Sequence, residues 1–178
     1  CRQWAPHRQI GHWPDADMLP LGRLSKRGPV PVEHDSYLTL EEQKSLLTLW
    51  VIFQSPLMIG GHLPETSSET MALLTNPAIN QAFSRIKEGL PVRCTETEAI
   101  WHAKGEDEGD HYVALFNTGD TPALVSLDPQ IIGINQSEFR VFDLWDDRMR
   151  RSMDQIQVQL SPHSCAFYEI NEIHADKS

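Results

Sequence analysis

The sequence predicts an α/β segment followed by an all-β one, and three observations carry that expectation. Strand-like and helix-like stretches alternate over residues 12–85, the repeating unit of an α/β protein. After Lys87 the apolar residues fall into period two, in short runs separated by turn residues, the pattern of an antiparallel sandwich. The change from one pattern to the other lies near residues 85–95. The expected division is therefore 1–88, 89–172, and a flexible tail at 173–178.

From Cys1 to Pro20 there is no helical period, and the aromatic, His and Pro residues suggest a loop leaving a strand. Residues 20–36, rich in Pro, Gly, Lys and Arg, read as a long surface loop, of a kind that often serves the mouth of a site. Thr39-Leu40-Glu41-Glu42 is a capping box, and a helix is expected from it to about Gln54. The second half of that helix, Leu46 to Phe53, is apolar on nearly every face, so it is expected to be buried between neighbours. Ser55-Pro56 breaks it. The apolar run Pro56 to Gly61 suits a strand buried on both faces. Thr66-x-x-Glu69 suggests a second capping box, and Pro77 a short helix started from its first turn.

The β region offers six candidate strands: Ala99–Ala103, His111–Phe116, Ala123–Leu127, Phe139–Leu144, Ile156–Leu160 and Cys165–Ile170. In His111 to Phe116, alternating positions are expected to face the core.

Composition narrows the function classes. The chain has 178 residues and a formal net charge of -10, which argues against nucleic acid or an anionic membrane as partner and suits a neutral substrate such as a sugar. No apolar run approaches the roughly 20 residues that span a bilayer. The chain opens Cys1-Arg2-Gln3-Trp4 with no leader-like segment, which suggests a fragment or a processed product. The three cysteines, Cys1, Cys94 and Cys165, are far apart, so a zinc or redox site is not expected. No cofactor is expected either.

Gly11 to Leu19, Gly-His-Trp-Pro-Asp-Ala-Asp-Met-Leu, concentrates the chemistry. If its backbone is extended, Asp15 and Asp17 point the same way, with Cβ atoms roughly 6–7 Å apart. Two carboxylates so placed beside an aromatic ring suit sugar chemistry. The same residues suit a turn in which Pro14 sets φ and the Asp side chains bond nearby N–H groups. His12 and His62 form a conceivable metal pair near these carboxylates, without supporting ligand spacing. Trp101, Trp145 and Tyr112 suit either a sugar-stacking surface or the sandwich core, and the core is favoured. Glu106-Asp107-Glu108 suits a solvated hairpin tip better than a calcium site, and Asp146-Asp147-Arg148 reads as another tip.

The Gly11–Leu19 block resembles the Trp-Asn-Asp-Pro-Asp-Met-Leu block of the α-galactosidases of glycoside hydrolase family 27, in clan D. The resemblance continues in order. Leu49-Trp50, then Ser55-Pro56-Leu57-Met58-Ile59-Gly60, is similar to the family's helix and eighth barrel strand. Leu73-Leu74-Thr75-Asn76-Pro77-Ala78-Ile79-Asn80-Gln81 resembles the segment that closes its barrel. Phe142-Asp143-Leu144-Trp145, with Leu160-Ser161-Pro162-His163 after it, is similar to its C-terminal β-domain.

The resemblance implies a (β/α)8 TIM barrel followed by an antiparallel β-sandwich domain. A complete barrel needs about 250 residues, so 1–88 is expected to hold only its last two βα units. The family hydrolyses terminal α-D-galactosides with retention, through an Asp nucleophile and an Asp acid/base. The nucleophile motif, Lys-x-Asp, does not occur in this chain, so both catalytic groups are expected upstream and none within it. Matching positions imply that Asp17 and Met18 line the galactose subsite, that Asp15 fixes the loop, and that Trp13 walls the pocket. Pro14 stands where the family has Asn, and Ala16 where it has Pro. Expected partners are a galactoside and the upstream barrel segment of the same protein, with no nucleic acid and no membrane. The compartment depends on whether the upstream chain carries a signal peptide. The alternatives are a carbohydrate-binding or interaction module, or the same fold acting on α-N-acetylgalactosaminides or β-L-arabinopyranosides.

Overall fold

The computed structural model describes residues 1–9, 11–26, 32–135, 138–152 and 155–173, with backbone alone for 150–152. Two short strands, β1 (Arg23–Leu24) and β2 (His34–Asp35), pair antiparallel inside the expected long loop. Three helices follow: α1 (Leu40–Phe53), α2 (Ser68–Leu74) and α3 (Pro77–Arg85). The rest is strand: β3 (Lys87–Cys94), β4 (Glu98–Lys104), β5 (Asp110–Asn117), β6 (Ala123–Leu127), β7 (Phe139–Asp143), β8 (Arg148–Ser152), β9 (Ile156–Leu160) and β10 (Cys165–Glu172).

Local chemistry sets the helix ends. The Thr39 hydroxyl accepts from the Glu42 N–H at 3.3 Å, and the Glu42 carboxylate accepts from the Thr39 N–H at 2.7 Å, so two orphan donors of α1 are satisfied reciprocally. The α2 cap lies one residue beyond the expected one. Ser67 accepts from the Thr70 N–H at 3.2 Å, while Thr66 donates to the His62 carbonyl at 3.1 Å and is spent closing the preceding turn. Asn76 caps α3, with Pro77 in its first turn.

The β strands form an antiparallel sandwich. Six of them lie in the order β3-β4-β5-β10-β7-β8, faced by the β6-β9 pair. The large sheet is a middle layer. Trp101, Ala103, Tyr112, Ala114, Phe116 and Phe167 pack toward α1, whereas Ile100, Val113, Leu115, Tyr168 and Ile170 pack toward β6 and β9. Both sets of alternating residues on β5 are therefore buried, not one set as the period suggested. Trp101 and Tyr112 are 3% and 0% exposed, which places them in the core and removes them as a sugar-stacking surface. Trp145 is half-buried, and its indole donates to Thr48 at 2.9 Å. The Cys165 thiol lies 3.4 Å from the Thr48 hydroxyl, and burial pushes its pKa up to about 11, which leaves it inert.

Before β3, the parallel pairing among the described residues is a single bridge, Leu19 with Ile59. Its hydrogen bonds run from Leu19 N–H to the Met58 carbonyl (2.8 Å) and from Gly60 N–H to the Leu19 carbonyl (2.9 Å). The run Pro56–Gly61, expected as a strand buried on both faces, is half-covered, and Met58 is exposed. Among the described residues no other strand flanks it. The acidic turn at 106–108 is more than a solvated tip. Arg85 on α3 reaches Asp107 at 3.0 Å, Asp110 at 2.8 Å and Glu169 at 3.5 Å, clamping the helix to the sheet. The expected tail falls, after Ile173, outside the described residues.

Cross-strand histidines give the sandwich a pH dependence. His102 Nε2 lies 2.9 Å from His111 Nδ1, and His111 Nε2 lies 3.5 Å from Glu172. Burial, reinforced by His111 and Lys104, pushes the His102 pKa down to about 4. The unfolded chain, with a His pKa near 6.5, then binds protons more readily than the folded one. The stabilising contribution is full above about pH 6.5 and is lost as pH falls through about 4. Thermal unfolding between pH 7 and pH 4 is expected to show a loss on the order of 2 kcal/mol that His102→Gln reduces. An unchanged pH profile in that variant would remove His102 as the cause.

Candidate functional site

The Gly11–Leu19 segment is a loop whose backbone is pinned by hydrogen bonds at each residue from Ala16 to Leu19. Asp17 has φ +72, in the left-handed region that Asp tolerates better than most residues. The extended backbone that would align Asp15 with Asp17 is thus absent. Instead Asp15 Oδ1 accepts from the Asp17 N–H at 2.8 Å, an Asx-type turn. Asp17 Oδ1 accepts from the Met18 N–H at 2.7 Å. The Ala16 N–H donates to Ser55 Oγ at 2.9 Å, and the Trp50 indole N–H donates to the Asp17 carbonyl at 3.0 Å. Leu19, fully buried, then enters the parallel bridge.

Trp13, two residues before Asp15, and Met18, next to Asp17, are each 54% exposed. Trp13 stands between two concavities. One, of about 420 Å³, is lined by Trp4, His7, Arg8, His12, Trp13 and Asp15. The other, of about 1000 Å³, is lined by Arg8, Trp13, Gln54, Pro56, Phe83 and Lys87. Volumes of this size suit small-molecule sites. The Arg8 guanidinium carbon lies 6.0 Å from the Trp13 ring centroid, at the outer limit of a cation–π contact. Asp17 and Met18 line neither concavity; they sit on the open side of the same loop.

Of the sequence-derived candidates, Asp15, Asp17 and Met18 are joined by two hydrogen bonds, and Trp13 and Asp15 share a cavity wall. His12 is exposed and closes a tight turn with Gln9, whereas His62 lies 3.8 Å from Glu65. Among the described residues no group of three His, Cys, Asp or Glu side chains is arranged to hold a metal ion. Among the described residues, no helix is long and apolar enough to cross a membrane. Trp50, Ser55 and Arg8 are contacts that sequence reasoning did not single out for roles. Leu49-Trp50 was legible as a motif, but nothing in its spacing indicates an indole bonded to a backbone 33 residues away.

Comparison with known proteins agrees with this architecture. The family described as the Alpha galactosidase C-terminal beta sandwich domain matches residues 96–170. Alpha-galactosidase A of Aspergillus niger is 27% identical over 139 residues, covering 75% of this chain and 25% of that protein. Alpha-galactosidase 2 of Arabidopsis thaliana is 28% identical over 173 residues, covering 94% and 40%. The crystal structure of a family-27 β-L-arabinopyranosidase from Geobacillus stearothermophilus aligns with a TM-score of 0.90 at 30% identity, over 97% of this chain and 40% of that one. A candidate α-N-acetylgalactosaminidase from Bacillus halodurans aligns with a TM-score of 0.86 at 32% identity, over 97% and 42%. The chain thus spans between a quarter and about two fifths of the relatives named. Residues 96–170 thus match the alpha-galactosidase C-terminal β-sandwich family, and the chain as a whole is similar to part of the glycoside hydrolase family 27 enzymes.

Proposed function

We propose that this chain is part of a retaining exo-glycosidase that hydrolyses terminal α-D-galactosides by double displacement, with Asp17, Met18, Trp13 and Asp15 at its sugar-binding site. In this reading residues 1–88 carry the last two βα units of a (β/α)8 barrel and 89–172 the sandwich. The nucleophile and acid/base come from the upstream barrel segment. The observation that carries it is the loop from Asp15 to Leu19. Its backbone is pinned by hydrogen bonds, while Trp13, Asp17 and Met18 are left exposed beside the parallel bridge of Leu19 with Ile59. An apolar ring next to a carboxylate fits the mixed apolar and hydroxylated faces of a pyranose.

A second reading, hydrolysis of β-L-arabinopyranosides, is favoured by the alignment with the Geobacillus arabinopyranosidase. The two sugars share their ring configuration and differ at C5, where galactose carries a hydroxymethyl group; N-acetylgalactosamine differs from galactose at C2. The full-length protein, assayed on nitrophenyl glycosides of all three, is expected to cleave the α-D-galactoside fastest. Faster release from the β-L-arabinopyranoside reverses the order of the two readings. Asp17→Asn keeps the left-handed backbone accessible while removing the charge. It is expected to lower kcat/KM by about 100-fold, the scale of a charged hydrogen bond to substrate. Unchanged kinetics would remove Asp17 from the site.

A further inference from the structure

We infer that Trp50 and Ser55 are positioning residues that hold the Asp17 backbone in its left-handed conformation, and so present the Asp17 carboxylate and Met18 to the sugar. This rests on the reading of Asp17 and Met18 as sugar-binding. Left to itself, an L residue at φ +72 relaxes toward the extended or helical regions. Here that motion is blocked from both sides of the residue. Ser55 Oγ accepts the Ala16 N–H at 2.9 Å, just before Asp17, and the Trp50 indole takes the Asp17 carbonyl itself at 3.0 Å. The bridge at Leu19 fixes the chain two residues later.

The two anchors are one unit. The Ser55 N–H donates to the Trp50 carbonyl at 3.0 Å, around the left-handed cap residue Gln54 that ends α1. Val51 and Ile52, between them in sequence, are fully buried, and Phe53 meets Trp101 of β4 edge to face at 5.9 Å. The loop therefore takes its shape from a helix end that is itself seated on the sandwich. A purely packing role for Trp50 is the rival account, since the ring is half-buried against the core.

Trp50→Phe separates them, because it keeps most of the apolar contact and removes the N–H donor. In the full-length protein it is expected to raise KM for the nitrophenyl glycoside about tenfold, the scale of one lost hydrogen bond, with little change in the thermal midpoint. Ser55→Ala is expected to act in the same direction. In an Asp17→Asn background the KM effect of Trp50→Phe is expected to shrink, because the charged group being positioned is gone. An equal KM effect in both backgrounds, or none in either, overturns the inference while leaving the sugar site in place. Normal kinetics for Asp17→Asn alone instead overturns the reading on which it rests.

Discussion

Assayed by itself, the 178-residue chain is expected to release no measurable nitrophenol from a nitrophenyl α-D-galactoside that the full-length protein cleaves. A retaining glycosidase places its two carboxyl groups about 5–5.5 Å apart, one on each side of the scissile bond. Asp15 and Asp17 are engaged within their own loop. Each turns an oxygen onto a neighbouring backbone N–H, Asp15 onto Asp17 and Asp17 onto Met18, as loop-shaping carboxylates do. Without nucleophile or acid, most of an enzyme's acceleration, typically about 10⁶-fold or more, is gone. Turnover by the isolated chain that disappears in Asp15→Asn or Asp17→Asn would return this pair to the catalytic role that their spacing first suggests.

The largest stability effect is expected at Gly89. A Cβ there would collide with the carbonyl oxygen of Ile52, a backbone atom in the last turn of α1. Backbone has no rotamer with which to move aside, so β3 and α1 must separate, and the core between them opens. Gly89→Ala is expected to cost about 3 kcal/mol or more, a fall in midpoint of roughly 6–12 °C for a chain of this size. Gly133→Ala is the control. Its φ of +89 makes an L residue strained, but no atom lies within 4 Å of the new Cβ, so a loss of only about 1 kcal/mol is expected. Thermal unfolding of the two variants side by side tests the contact. Equal losses would mean that β3 does not rest tightly on the helix.

Much of this was written in local pattern. The six expected strands, the Thr39 cap and the Pro77 start all rest on short-range chemistry, and each is present. Within the large sheet, the strands that escaped notice are the two at its edges. β3 carries Gly89 and Pro91 and loses register twice, which erases its period, yet an edge strand tolerates both features. β8, Arg148-Met149-Arg150-Arg151-Ser152, is too polar to announce itself, as a charged edge tends to be. For the site, the Gly11–Leu19 block was visible as a concentration of functional groups. The left-handed turn at Asp17 was not, because its supports come from residues 33 and 39 positions away. A pattern that assumed extended backbone placed the two carboxylates side by side. Long-range hydrogen bonds turn them to different tasks.

The seat of α1 on the sandwich has a consequence for how such proteins change over time. One surface of this helix roofs a β-domain, while its end buttresses the loop from Ala16 to Asp17. The two regions therefore do not inherit independently. A sandwich grafted from a relative brings its own version of the residues beneath Phe53 and Ile52, and any misfit tilts the helix and, with it, the loop. Under the proposed function, a change at Trp101 or Gly89, buried against this helix, would be felt at Trp50 and the loop it holds.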